Sequence, residues 1–209
     1  MEISSFETKI VSLPLQHGSP SHGSDVDTFN VITLRLRTKD GIEGLGYACF
    51  VPNILTRALK EVLDALLALT IGEDPLMVEK ISGGLLEKAG NGAPAGLVTR
   101  AVSSIDVALW DIRGKALGQP VYKLLGGYTD TVPAYASGSL WRPYSLYELE
   151  SSAKELVNDG FAAMKLRVGG ETEIDKEIER FNSVRDAVGP DVDIMIDVNQ
   201  AWDLNTAIS

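Results

Sequence analysis

The sequence has a single cysteine and fewer basic than acidic residues among its 209 positions, and both shortages exclude classes of protein. Cys49 alone permits no disulfide within the chain, which fits the reducing environment of the cytoplasm. Lysine and arginine total 19 against 29 aspartate and glutamate residues, a formal net charge of −10. Because an acidic surface repels phosphate backbones, we expect no nucleic-acid partner.

Long hydrophobic runs are also missing, and we expect no secretory leader. No apolar stretch approaches the roughly 20 residues that a membrane-spanning helix needs. The first nine residues lack the basic start and the apolar stretch of a signal peptide. Aromatic residues make up only 7% of the chain, but 44% is hydrophobic, which is enough to bury a core. We therefore predict a soluble, cytoplasmic protein with no membrane partner.

The first half of the chain has the pattern of an α+β domain. Hydrophobic Ile32, Leu34 and Leu36 alternate with polar residues, which predicts a strand with one buried and one solvated face. The polar loop at 16–27 is either simply solvated or a mobile lid. We predict antiparallel strands at 3–15, 29–38 and 41–50, and helices at 53–69, from 74 onwards and at 97–117. The glycine pair at 83–84 should weaken the second helix.

After Thr129 the pattern becomes a repeat of strand and helix. Strands are predicted near 132, 162 and 193, a period of about 30 residues that is typical of parallel strands with crossover helices. Capping residues are predicted at Ser145, Thr172 and Asp203. Helical spacing predicts that Ile178 faces the core, and strand alternation predicts that Ile196 packs against the helices. The repeat favours either an open doubly wound sheet or a (β/α)₈ barrel. No Gly-x-Gly-x-x-Gly motif follows a strand, which removes the main argument for a dinucleotide-binding sheet.

Two of these strands carry charged residues where a helix-covered parallel sheet should be apolar. Lys165 and Arg167 alternate with Met164, Leu166 and Val168, so they share one strand face. Asp197 and Asn199 share a face of the next strand in the same way. In a barrel these side chains would point into the mouth, where barrel active sites lie. The alternative interpretation is a structural ion-pair cluster that fills the barrel.

Three segments resemble the mandelate racemase/muconate lactonizing enzyme family of the enolase superfamily. Residues 101–127 are very close to the signature helix and following loop of that family. Met164-Lys-Leu-Arg-Val-Gly169 resembles its Lys-x-Lys strand, and Ile194-Met-Ile-Asp-Val-Asn-Gln200 resembles its Asp-x-Asn strand. The long segment is highly specific, whereas the two short motifs would be weak alone. The resemblance extends over essentially the whole chain.

The resemblance implies a fold of class α/β, with an α+β capping domain at 1–128 and the first units of a modified (β/α)₈ barrel at 129–209. It also implies Mg²⁺-assisted removal of a proton α to the carboxylate of a small substrate. By this analogy Asp197 is a Mg²⁺ ligand, Asn199 contacts the substrate, and Lys165 lies by the substrate carboxylate. The loop at 16–27, with His17 and His22, and residues 50–53 would fold over the substrate. We also expect a homo-oligomer.

Arg167 departs from the pattern of the family, because it stands where the second lysine, normally the base, is found. Arginine keeps its proton at ordinary pH, so it is a poor base but a strong electrostatic partner. Its positive charge disfavours the protonated form of Lys165. The base is then either Lys165 or a histidine on a later strand. Racemisation needs competent groups on both faces of the substrate carbon, and elimination of water needs fewer. The departure therefore favours dehydration of an acid sugar over racemisation.

The length of the chain does not match the fold that the resemblance implies. Eight barrel units at about 30 residues each need about 240 residues. We therefore expect an amino-terminal portion of a longer protein, inactive alone, with the other metal ligands further on. Alternatives are a cycloisomerase or dipeptide epimerase of the same family, a non-catalytic binding or structural protein of the same fold, and a phosphate-binding barrel enzyme.

Overall fold

The computed structural model of the chain describes residues 1–14, 28–49 and 52–208. These residues form two compact units. The amino-terminal unit runs to Asp130, and the carboxy-terminal unit begins at Thr131. Within the described ranges, no helix combines the length and the hydrophobicity that crossing a bilayer requires.

The amino-terminal unit begins with an antiparallel sheet, as the alternation predicts. The chain order of its strands, β1-β2-β3, is also their order in the sheet. Ile32, Leu34 and Leu36 are fully buried on one face. Gly41, with a φ of 84°, closes the turn between the second and third strands because glycine adopts this conformation without strain. The strands are β1 (Ile3–Pro14), β2 (Thr28–Thr38) and β3 (Glu43–Ala48).

Helices cover the buried face of this sheet. The longest helix begins and ends where its periodicity predicts, and Gly118 terminates it in the left-handed conformation. The predicted start of the second helix was wrong, because Asp74 accepts a hydrogen bond in the preceding turn and the helix begins at Val78. The helix includes Gly83 and Gly84, and that this pair weakens it stays a prediction. The helices are α1 (Thr56–Ala68), α2 (Val78–Ala89), α3 (Gly96–Leu117) and α4 (Val121–Leu124).

Two glycines of β3 allow α3 to pack directly on the backbone of the sheet. A Cβ atom placed on Gly44 would lie 2.2 Å from the carbonyl oxygen of Ala108, and one on Gly46 would lie 2.2 Å from that of Ser104. Real Cβ atoms do not approach backbone so closely. These two positions therefore require glycine for packing rather than for conformational freedom.

The carboxy-terminal unit consists of three strand–helix repeats. Its strands are parallel, and their order β4-β5-β6 follows the chain. Ser145 and Glu148 form the predicted capping box, and Asp203 caps the last helix as expected. The elements are β4 (Ala136–Leu140), α5 (Leu146–Asn158), β5 (Ala163–Arg167), α6 (Ile174–Val188), β6 (Asp193–Asp197) and α7 (Leu204–Ile208).

The first strand of this unit lies later than its sequence predicts. Val132 belongs to the preceding coil and is 78% exposed, whereas β4 begins at Ala136. Small and polar residues fill β4, so its β-propensity is low. Pairing with β5, in which Ala136 lies opposite Met164 and Leu140 opposite Leu166, decides the position of the strand.

The buried face of α6 also differs from the prediction. Thr172 does not cap this helix, whose first residue follows Glu173 without any side-chain cap. Ile178, predicted to face the core, is 51% exposed, while Glu177 and Arg180 are 4% and 6% exposed. A periodicity analysis assigns charged residues to the solvated face, but these two are buried because they have hydrogen-bonding partners there. Ile196 of β6 was likewise predicted to be covered and is 53% exposed.

Candidate active site

The charged residues predicted on β5 and β6 meet at the carboxyl ends of these strands. Arg167 lies directly opposite Asp197 in the parallel register, and Lys165 lies opposite Met195. The Oδ2 atom of Asp197 is 3.2 Å from Nζ of Lys165 and 3.0 Å from Nη1 of Arg167. The structure therefore brings together the two cations and the carboxylate that the alternation of the strands placed on one face.

Asp197 is held as a carboxylate by its surroundings. The backbone N–H of Asn199 donates a hydrogen bond of 2.9 Å to Oδ1. This bond is the main reason that the pKa of Asp197 lies below its ordinary value, with Lys165 and Arg167 lowering it further and burial opposing them. The carboxylate also offsets the repulsion between the two cations.

Asn199 contributes to the site through its backbone. Asn199 has a φ of 46°, and Gln200 has a φ of 65°. Both values lie in the left-handed region, which few residues other than glycine adopt. This turn points the N–H of Asn199 back at Asp197. The predicted contact of the Asn199 side chain with a substrate stays a prediction.

The guanidinium of Arg167 lies against an aromatic ring. Its Cζ atom is 5.5 Å from the ring centroid of Trp141, just after β4, which is within the range of a cation–π contact. Its Nε atom is buried and has no acceptor among the described residues. One face of the guanidinium is thus occupied by Trp141, and one edge is occupied by Asp197.

Three charged residues that bind the backbone after β4, β5 and β6 were not predicted from the sequence. Oε1 of Glu177 accepts hydrogen bonds of 2.7, 2.7 and 2.8 Å from the successive backbone N–H groups of Gly169, Gly170 and Glu171. Arg180 and Arg142 donate to backbone carbonyls of the neighbouring loops. The available signal was the Gly169-Gly170 pair directly after the charged strand, because such a pair often marks a close backbone approach.

Several candidate residues lie elsewhere or cannot be placed. His17, His22 and Phe50 are outside the described residues. Asn53, in the short helical turn before α1, donates a 3.2 Å hydrogen bond to the carbonyl of Thr28. Burial raises the pKa of Cys49, which agrees with a packed thiol rather than a nucleophile.

Asp197 has the donor chemistry that Mg²⁺ takes in proteins, an ionised and partly exposed carboxylate. Within residues 1–14, 28–49 and 52–208, no group of three or more histidine, cysteine, aspartate or glutamate side chains is close enough together to hold a metal ion. The described residues therefore fit one protein ligand of a Mg²⁺ site rather than a whole ligand set.

Two family models match the chain. Residues 6–126 match the mandelate racemase/muconate lactonizing enzyme N-terminal domain, and residues 148–209 match the enolase C-terminal domain-like family. The first match covers more than half of the sequence. The two matches fall on either side of the division between the two compact units.

Individual curated proteins are also similar to this chain over most of its length. The chain is 34% identical over 206 residues to 3,6-anhydro-alpha-L-galactonate cycloisomerase from Streptomyces coelicolor, which covers 95% of this chain and 54% of that protein. It is 36% identical over 187 residues to L-talarate/galactarate dehydratase from Salmonella typhimurium, and that alignment covers 85% of this chain and 44% of the dehydratase. The chain thus spans about half the length of the curated relatives that it matches.

The fold is shared with solved structures that contain magnesium. A racemase from Streptomyces coelicolor with bound magnesium matches with a TM-score of 0.90 and 30% identity over 99% of this chain and 57% of that chain. The architecture expected from the sequence, a capping domain with a sheet followed by parallel β/α units, is confirmed by this similarity and by the family models.

Proposed function

The chain belongs to the mandelate racemase/muconate lactonizing enzyme family, and on this premise we propose that its protein removes the proton α to the carboxylate of a hydroxy acid or acid sugar. Its relatives include dehydratases, cycloisomerases, racemases and epimerases, which differ in their products. The observation that carries the proposal is the cluster of Lys165, Arg167 and Asp197 at adjacent strand ends. Barrel enzymes assemble their active sites at that end of the strands.

Each residue of the cluster has a separate role in the proposed reaction. Asp197 would be one ligand of Mg²⁺, and the bound ion would supply positive charge that stabilises the doubly charged enediolate. Lys165 lies beside the substrate carboxylate and takes the α-proton. Arg167 keeps its own proton and, held between Trp141 and Asp197, donates hydrogen bonds to the negatively charged substrate.

The proposed outcome is dehydration of an acid sugar. Once Lys165 has taken the α-proton, it returns a proton to the hydroxyl group on the neighbouring carbon. That group leaves as water with the electrons of its C–O bond, and the resulting enol tautomerises to a 2-keto acid. Racemisation would instead need a second proton-transfer group on the opposite face of the α-carbon. On the face built by β5 and β6, the proposal gives proton transfer to Lys165, because an arginine such as Arg167 does not release its proton.

A second candidate is a non-catalytic binding protein of the same fold. Arg167 favours it, because an arginine in place of the lysine removes a base and leaves a group suited to holding an anion. Such a protein would bind a carboxylate without exchanging its α-proton.

A single experiment distinguishes the two candidate functions. The protein expressed from its complete gene is incubated with Mg²⁺ in D₂O with galactarate, talarate and other sugar acids, and NMR follows the α-proton and the formation of 2-keto acid. Loss of water from at least one acid supports dehydration. Exchange without loss of water supports an isomerase, and binding without exchange supports the second candidate.

The metal assignment has its own control. Asp197→Asn should lower Mg²⁺ affinity, measured by calorimetry, at least tenfold, because a neutral amide is a weaker ligand than a carboxylate. Asp193→Asn removes one negative charge from the exposed, opposite end of the same strand, and it should leave the affinity unchanged. Equal affinities in the two variants would exclude Asp197 as a ligand.

A further inference from the structure

The guanidinium of Arg142 joins the ends of the two strands that carry the site. Its Nε donates a 2.7 Å hydrogen bond to the carbonyl oxygen of Val168, and its Nη2 donates to that of Val198. Val168 directly follows Arg167, and Val198 directly follows Asp197. Arg142 therefore contacts the backbone one residue beyond each member of the Arg167–Asp197 pair.

The loop after β5 is shaped around this side chain. A Cβ atom on Gly169 would lie 2.8 Å from Cβ of Ala201 and 3.4 Å from Nη2 of Arg142, and the φ of Gly169, 82°, is itself one that disfavours other residues. A Cβ atom on Gly170 would lie 3.2 Å from Cβ of Arg142. The two glycines make room for the arginine stem and guanidinium between the strand ends.

Buried charges on α6 hold the surrounding loops in turn. Arg180 donates to the carbonyls of Tyr144 and Trp141, at 2.6 and 3.0 Å, on both sides of Arg142. Glu177 binds the three backbone N–H groups of the loop that begins at Gly169. Arg142, itself half-buried, thus lies among charged side chains that hold the backbone around the strand ends.

We propose that Arg142 is a positioning residue, which fixes the spacing between Arg167 and Asp197 and so the geometry of proton removal. As far as it concerns the reaction, this inference rests on the proposed function. A guanidinium can donate to two carbonyls in different directions from a rigid plane, whereas a lysine ammonium is a point donor on a flexible stem. Arg142→Lys keeps the charge and loses this rigid bridge.

The chain offers a matched control at the opposite end of the same strands. Nη1 of Arg185 donates to the carbonyls of Gly189 and Val192, at 2.6 and 2.7 Å, in the loop that leads into β6. Arg185, like Arg142, is half-buried and bridges two backbone carbonyls. Arg185→Lys therefore makes the same chemical change away from the candidate site.

The experiment compares Arg142→Lys with Arg185→Lys in the protein expressed from its complete gene. Amide hydrogen exchange reports on the backbone at 168–171, 198–201 and 189–193, and deuterium incorporation into the substrate reports on kcat and KM. For Arg142→Lys we expect about tenfold faster exchange in the first two segments. We expect kcat to fall about 30-fold while KM stays within about threefold, because the reacting groups shift relative to a bound substrate. Arg185→Lys should speed exchange only at 189–193 and leave kcat unchanged.

Gly170→Ala provides a second variant should Arg142→Lys fail to fold. Its methyl group would press on the stem of Arg142 without removing it, so we expect a smaller fall in kcat with the same unchanged KM. Unchanged exchange at 168–171 and 198–201, or faster exchange there with normal kcat, would overturn the proposal. A wild-type protein that exchanges no substrate proton would overturn the proposed function, while amide exchange would still decide whether Arg142 holds the strand ends.

Discussion

The two units of the chain use charged residues in opposite ways. In the amino-terminal unit, the buried polar side chains among the described residues are the uncharged Thr38, Thr56, Thr70 and Ser104. The members of its ion pairs, such as Arg37–Glu43 on the sheet and Lys60–Asp64 on α1, are at least partly exposed. In the carboxy-terminal unit, Glu177 and Arg180 are buried, and Arg167 is nearly so. Burying charge is costly unless every group is paired.

The difference separates residues that stabilise the fold from residues that form the site. Apolar packing against a sheet needs no charge, so the ion pairs of the amino-terminal unit should contribute little. Buried charges in the carboxy-terminal unit all surround the strand ends where Lys165 and Asp197 meet. Their cost is offset by hydrogen bonds that fix backbone next to the candidate active site.

The largest expected effect is on turnover and comes from Lys165→Met. The substitution keeps the length of the side chain and removes its ammonium, so we expect at least a 10³-fold loss of α-proton exchange. The remaining pair of Arg167 and Asp197 should preserve the fold, which circular dichroism would verify. Full exchange activity in this variant would exclude Lys165 as the base.

Close packing in the amino-terminal unit is tested by Gly46→Ala. The new methyl group would meet the carbonyl oxygen of Ser104, so we expect a loss of about 3 kcal/mol in the free energy of unfolding of this unit. Gly84→Ala, in α2, meets no atom within 4 Å and should stabilise the unit by about 0.5–1 kcal/mol. Denaturant unfolding of both variants measures the contrast, and similar stabilities would contradict it.

The buried charge of the carboxy-terminal unit is tested by Glu177→Ala. Three backbone N–H groups lose their acceptor and Arg180 loses its nearest carboxylate, so we expect a loss of about 2–3 kcal/mol. Hydrogen exchange should show faster amides at 169–171. Glu177→Gln keeps one carbonyl acceptor and should lose less stability. Equal losses for both substitutions would show that the charge of Glu177 and its hydrogen bonds do not determine the stability of this unit.

Acid should remove the contribution of the Asp197 carboxylate to the free energy of unfolding. Because the pKa of Asp197 is lowered in the folded protein, its carboxylate stabilises the fold above the unfolded pKa of about 3.9, and that contribution is lost as the pH falls through the folded value. The stability difference between wild type and Asp197→Asn should therefore be present at pH 6 and shrink below about pH 4. With a third of the carboxylate exposed, we expect about 1 kcal/mol at most. A constant difference would contradict this.

The smallest expected effect comes from the surface charges of the amino-terminal unit. Arg37→Gln removes the nearer of two arginine partners of Glu43 on the solvated face of the sheet, at 2.5 Å against 3.5 Å for Arg35. We expect almost no change in the free energy of unfolding, because exposed ion pairs are screened by water and salt. A loss as large as that of Glu177→Ala would remove the contrast between the two units.

Local sequence patterns were sufficient to predict most of the secondary structure. The alternation in β2, the stripe of α3 and the capping residues Ser145 and Asp203 each depend on neighbours within a few residues, and they were found where predicted. The position of β4 was not predicted correctly, because a sequence with low β-propensity takes its register from the strand with which it pairs. The cluster of Lys165, Arg167 and Asp197 was predictable because alternation fixes which face a strand residue occupies.

The sequence by itself determined the family, the order of elements and the face that carries the charged cluster, since all three follow from motifs and short-range periodicity. Only the tertiary structure decided that Glu177 and Arg180 are buried, that Ile178 is exposed and that Arg142 joins the ends of β5 and β6. The physical reason is that burying a charge depends on distant partners. Backbone carbonyls 26 and 56 residues away from Arg142 supply them, and no local pattern records that contact.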